Sequence, residues 1–171
     1  MNKPIQKIIF LDIDGVLNNF DSPDEHKTVI DNNMVIRLKR IVDASGAKII
    51  LTSSWRLFYN NWKNCEDKRV TDNYLMLITS FEKYGLNIYG VTNEVSYGPN
   101  SRPEEISEWL ETHKDVKNYV ILDDSRWNWG TLSDHVVITR RKDKFSDNGW
   151  RSGLEDSDAD KAISILTDEN N

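Results

Sequence analysis

Five short apolar runs punctuate the chain, at Lys7 to Asp12, Lys48 to Thr52, Asn87 to Thr92, Tyr119 to Asp123 and His135 to Thr139, and most are continuous rather than alternating in polarity. A strand wetted on one face alternates, whereas a strand covered on both does not, so these runs suit a buried parallel sheet. Between them the spacing becomes helical. Asp31 caps a predicted helix through Ser45, with Met34, Leu38, Ile41 and Val42 sharing a face and Gly46 as the stop. A second helix is predicted over 72–84, with Leu75, Ile78 and Phe81 in step and Gly85 closing it. A third opens at "SRPEE", where Ser101 and Glu104 have the spacing of a capping box and Ile106, Trp109 and Leu110 form the apolar face. The last begins near Asp158 and carries Ala162, Ile163, Ile165 and Leu166 before a polar end.

Strands alternating with helices imply right-handed crossovers and an α/β fold of three layers, a parallel sheet with helices on both faces. The 171 residues are the size of one domain, and no repeat or low-complexity linker divides them, so a single domain over 1–171 is expected. No apolar run approaches the ~20 residues that span a bilayer. The first residues, "MNKPIQK", lack the apolar core of a secretory leader. Cys65 is the only cysteine, which rules out an internal disulfide and a cysteine-based zinc site and suits a reducing cytoplasm.

Candidate chemistry sits where the runs end. The first, "IIFLDIDGVLNN", finishes in Asp12 and Asp14 with Gly15 behind them, and the fourth, "YVILDDS", finishes in Asp123 and Asp124. A buried ionised carboxylate costs several kcal/mol unless a cation or a ring of donors compensates it. In open α/β sheets ligands gather at the carboxyl ends of the strands, so both acidic pairs arrive at one mouth. Their repulsion must be relieved by protonation or by a bound cation, and Mg2+ is the natural candidate because it takes carboxylate, carbonyl and water oxygens. The second run ends in Thr52, Ser53 and Ser54, and Arg102 opens the third helix. Hydroxyls and a guanidinium beside an acidic, cation-holding cluster make a site for a phosphate group. The three histidines are dispersed, and Ser53 and Ser54 lack the flanking glycines of a nucleophilic elbow.

In this order, "FLDIDGVLN", "ILTSSWR", "SRPEEISEWL" and "VILDDS" resemble the four motifs of the haloacid dehalogenase (HAD) superfamily. "DGVLN", "SSWR" and "EEISEWL" are most similar to the HAD domain of the Swiss Army Knife RNA repair proteins. The resemblance implies a Rossmann-like sheet of about five strands in the order 3-2-1-4-5. It also implies a magnesium-dependent phosphatase in which Asp12 is the nucleophile and Asp14 the general acid and base. The metal would be held by Asp12, the backbone carbonyl of Asp14, Asp123 and Asp124. Thr52, with Ser53, would bind the phosphoryl group, and Arg102 would balance its charge, with Arg56 in reserve should Arg102 prove exposed.

The segment from Asn18 to Thr28 has room only for a short flap, and Trp55 to Tyr84 reads as a loop and a crossover helix, so a capless form is expected. An open mouth admits a phosphate on a polymer. Trp55, Phe58, Tyr59 and Trp62 follow the second strand and Trp127 and Trp129 the fourth, which suggests an aromatic rim, with Trp55 and Arg56 as substrate contacts. The expected substrate is a terminal phosphate on RNA or DNA, or a nucleotide. A protein phosphatase and a phosphoryl-accepting binding module are the alternatives, although "GVT" on the third strand lacks an acceptor aspartate. The net charge of -6 argues against binding nucleic acid over the whole surface, which leaves only local patches such as "TRRKDK".

Overall fold

The computed structural model describes residues 6–19, 30–94, 101–145 and 149–168. Its sheet is built from β1 (Gln6–Leu11), β2 (Lys48–Leu51), β3 (Ile88–Val91), β4 (Val116–Asp123) and β5 (Val136–Ile138). All neighbours are parallel and the order is β3-β2-β1-β4-β5, as expected. The helices are α1 (Asn32–Ser45), α2 (Lys68–Lys83), α3 (Ser101–Thr112) and α4 (Asp156–Thr167). Two two-residue strands, β6 (Arg141–Lys142) and β7 (Trp150–Arg151), form an antiparallel hairpin that the hydrophobic pattern did not announce.

The pleat divides the core in two. Ile9, Leu11, Ile49, Leu51, Val120 and Leu122 pack with Leu38 and Ile41 of α1, Leu77 and Phe81 of α2, and Ala162 and Leu166 of α4. On the other side Ile8, Phe10, Ile50 and Ile121 pack with Ile106 of α3 and with Trp129 and Leu132 around a 3-10 turn, Gly130–His135. Two-sided cover explains why the runs were continuously apolar.

Three expectations need correction. Helix α2 starts earlier, with the Asp67 carboxylate capping the Arg69 amide, and it buries Tyr74, Leu77 and Phe81. Leu75 is 56% exposed, because Trp55 and Trp62 pack on Tyr74 and select the neighbouring stripe. Helix α4 begins at Asp156 behind a capping box of Glu155 and Asp158. Ser101 is already helical rather than a cap.

Among the described residues, the chain between β2 and β3 holds two 3-10 turns (Ser54–Phe58 and Trp62–Asn64) and α2, with no added domain. The flap expected before Thr28 lies largely outside the described residues. No helix among them is long and apolar enough to cross a membrane.

Candidate active site

Strand alternation decides which side chains meet at the mouth. Ile8 and Phe10 in β1, Ile50 in β2 and Ile121 in β4 all face α3. The next positions in the same alternation are Asp12, Thr52 and Asp123. Register pairs Leu11 with both Leu51 and Leu122, so these three residues stand abreast. The ladder continues beyond the strands: Thr52 N–H donates to Leu11 O at 2.9 Å, and Asp12 N–H to Leu122 O at 3.0 Å. The strand order reverses between β1 and β4, which opens the crevice at this point.

Asp12, Asp123 and Asp124 each present a carboxylate oxygen, all within 4.8 Å of one another. Asp12 is 8% exposed and Asp123 1%. One guanidinium faces them. Arg102 Nη1 lies 3.0 Å from Asp123 Oδ2 and 3.4 Å from Asp12 Oδ1, and donates to Thr52 Oγ1 at 3.2 Å. The Arg102 side chain is thus enclosed by the acids, and the reserve role of Arg56 is not needed.

Asp12 and Asp123 share the one Arg102 guanidinium, and Asp124 adds a negative charge beside them. Burial, then the Asp12 charge, push Asp123 up to about 7 against the pull of Arg102. Burial likewise raises Asp12, with Arg102 lowering it and Asp124 raising it further. Crowded, hard oxygen donors short of positive charge fit a magnesium ion.

The sign of the pH dependence follows. Between the usual carboxylate range and about pH 7 Asp123 in the folded, metal-free chain holds a proton that the unfolded chain does not, and Asp12 is raised in the same direction, so both favour folding as pH falls and oppose it as pH rises. A magnesium ion bound there would have to displace those protons. The rise in melting temperature on adding magnesium is therefore expected to be larger at about pH 8 than at about pH 6, measured by scanning calorimetry.

Asp14 occupies a different environment. Asn18 Nδ2 donates to its Oδ1 at 3.0 Å and Trp55 Nε1 to its Oδ2 at 3.1 Å. Both donors are neutral, so they fix the carboxylate without pairing its charge. Gly15 makes the turn possible: its φ is +74°, and a Cβ there would sit 2.5 Å from Asp124 Oδ2 and 2.6 Å from Asp124 Cβ. Asn18 Oδ1 accepts from the Gly15 amide at 2.8 Å. The Gly15 carbonyl accepts from Thr139 Oγ1 at 2.7 Å and from the Gly153 amide at 2.8 Å, so chain beyond β5 clamps the turn.

The remaining candidates lie around this centre. Thr52 and Ser53 are buried; the Ser53 hydroxyl accepts from the Trp55 amide, which caps the following 3-10 turn, and it lowers the Asp12 carboxyl. Arg56 lies beneath the mouth: it donates to Thr52 O at 2.7 Å and Ser53 O at 3.2 Å, and pairs with Glu105 Oε1 at 2.6 Å. Trp55 turns its indole N–H to Asp14, and its carbonyl accepts from the Tyr74 hydroxyl.

The six aromatics do not form one rim. Trp55 packs against the cluster holding Leu11, and Trp62 stacks on Tyr74 with ring centroids 5.7 Å apart. Trp129 is buried in the opposite cluster with Trp127 against it. Asn18, Glu105 and Thr139 were given no role from the sequence. Asn18 closes "FLDIDGVLN" and Glu105 lies within "SRPEEISEWL", where only its spacing three residues after Arg102 hinted at a shared helix face, and Thr139 belongs to no motif.

A family model described as the HAD domain in Swiss Army Knife RNA repair proteins matches residues 8–149. Neither a curated protein nor a solved structure matches the chain.

Proposed function

The chain belongs to the family of HAD domains in Swiss Army Knife RNA repair proteins, and from that membership, which brings a phosphatase-type activity, we propose a magnesium-dependent hydrolase that removes a terminal phosphate from a nucleic acid or a nucleotide. The observation that carries this reading is the contrast between two aspartates one residue apart. Asp12 lies among acids and Arg102, and Asp14 hangs on two neutral donors. One carboxylate is placed to attack and the other to move a proton.

In this reading an Asp12 oxygen forms a bond to phosphorus as the bond to the leaving oxygen breaks, and Asp14 delivers a proton to that oxygen. Asp14 then takes a proton from water, whose oxygen attacks the aspartyl-phosphate, releasing phosphate and restoring Asp12. Arg102 donates to Thr52 Oγ1, which leaves the threonine's own hydroxyl proton for a phosphoryl oxygen. Magnesium, held by Asp12, Asp123, Asp124 and the Asp14 carbonyl, would supply positive charge to the phosphoryl group. The absence of an added domain between β2 and β3 among the described residues supports a substrate too large for an enclosed pocket.

The deciding experiment is a phosphate-release screen with magnesium across end-phosphorylated RNA and DNA, mononucleotides, phosphopeptides and sugar phosphates. Turnover of the nucleic-acid or nucleotide group is expected, and preference for phosphopeptides would replace this substrate class.

Asp14 orientation gives a second measurable result. Trp55→Phe keeps a ring but removes the N–H, a bond to a charged group that contributes about 1.5–3 kcal/mol. Its kcat/KM is expected to fall by roughly tenfold or more for alkyl phosphates, whose leaving oxygen needs a proton, and much less for aryl phosphates. An equal fall for both would show that the indole merely packs.

A further inference from the structure

The basic stretch singled out in the sequence lies on the β6–β7 hairpin, outside the catalytic cluster. Arg141 pairs with Arg151 and Lys142 with Trp150 across the ladder, so the pleat sends the two arginines to one face and Lys142 with Trp150 to the other. The arginine face is answered by acids: Glu155 Oε1 lies 3.2 Å from Arg141 and 2.6 Å from Arg151, and Asp158 also pairs with Arg141. Lys142 and Trp150 share the opposite face. The Arg140 guanidinium lies 5.3 Å and the Lys142 ammonium 6.0 Å from the Trp150 ring centroid. Further along, Lys144 lies 5.0 Å from the Phe145 ring, and Phe145 is 86% exposed.

The hairpin is rooted at the reactive turn. The chain enters it just after Thr139, whose hydroxyl bonds the Gly15 carbonyl. It leaves at Gly153 and Leu154, whose amides bond the carbonyls of Gly15 and Val16 at 2.8 and 2.9 Å. Asp14 and the basic face therefore share one anchor.

We infer that this side of the hairpin together with the turn that follows it, Arg140, Lys142 and Trp150 and then Lys144 and Phe145, is a docking strip for a single-stranded polynucleotide whose terminal phosphate lies at Asp12. The inference rests on the phosphatase reading of the mouth. Cations alone would accept any polyanion, but rings interleaved with cations match a ligand that alternates phosphates with flat, exposed base faces. A chain of net charge -6 that sets Arg140, Lys142 and Lys144 beside aromatic rings along one arm of the hairpin, ending in an exposed phenylalanine, concentrates cations locally. A duplex, with its bases stacked inside, offers no base face to Phe145.

The test uses the intact chain, with fluorescein-labelled oligouridylate and oligothymidylate of about 12 nucleotides followed by fluorescence anisotropy. Phe145→Ala, and separately Lys142→Glu with Lys144→Glu, should weaken binding by about 5- to 100-fold. Each lost lysine should lower the slope of log K against log salt by about 0.7. The ratio of kcat/KM for end-phosphorylated oligonucleotide to that for p-nitrophenyl phosphate should fall by the same factor. Unchanged binding and an unchanged ratio overturn the inference, as does equal binding of polyglutamate or anionic vesicles to the same face. If the unaltered protein hydrolyses neither substrate but the variants still lose oligonucleotide, the phosphatase reading fails and the strip stands.

Discussion

Asp12→Asn is expected to lower phosphate release by at least about 10³-fold while raising the melting temperature of the metal-free protein at about pH 8. The two effects have opposite signs for one reason. Asp12 is nearly buried beside Asp123 and Asp124, and it shares one guanidinium with Asp123. Its negative charge opposes folding and supplies the nucleophile. Asparagine keeps the shape, removes one of the crowded charges and leaves Arg102 paired with Asp123 at 3.0 Å. The stabilisation by magnesium should shrink in the same variant, because one oxygen donor becomes neutral. Phosphate release and thermal melting with and without magnesium measure all three. An active variant would remove Asp12 from the chemistry, and a variant that melts lower would make Asp12 a structural residue.

Glu105→Ala is expected to cost about 3–5 kcal/mol of stability, the usual loss when one partner of a buried ion pair is removed. For a chain of this size that corresponds to a melting temperature lower by roughly 6–20 °C. The side chains of Arg56 and Glu105 are 9% and 2% exposed, and their bond is 2.6 Å long. Truncation leaves the Arg56 charge buried against the carbonyls of Thr52 and Ser53. Glu105 Oε2 is also 3.9 Å from Arg102 Nε, so the arginine that faces Asp12 and Asp123 loses a support and activity should fall too. Replacing the pair together, Arg56→Met with Glu105→Leu, should recover much of the stability, because no charge is then stranded. Denaturant unfolding of the three variants separates these outcomes, and a single truncation within about 1 kcal/mol of the unaltered protein would mean that water reaches the pair.

The parts legible in the sequence share a physical origin. Strands covered on both faces need continuous apolar runs, and an acid at the end of such a run is conspicuous because its burial is costly. Asp12, Asp123 and the Thr52 strand end were therefore readable, and the sheet order followed from the resemblance of their motifs. The stripe buried by α2 was not readable, since Leu75–Ile78–Phe81 and Tyr74–Leu77–Phe81 both have helical spacing. Only packing of Trp55 and Trp62 on Tyr74 distinguishes them. The β6–β7 hairpin pairs only two residues on each strand, too few to impose a period.

What the sequence by itself determined is the buried parallel sheet, the acids at its strand ends and the glycine behind them, because burial on two faces and the cost of buried charge leave a local mark. What only the tertiary structure decided is the company those groups keep. Arg102 reaches three strand ends from a helix, and the Trp55 indole and Asn18 together hold Asp14. Glu105 supports Arg56 from below, and the hairpin roots itself on Gly15. Apart from Asn18, these groups meet residues far away in the chain, and no local period or propensity encodes a distance across a folded sheet.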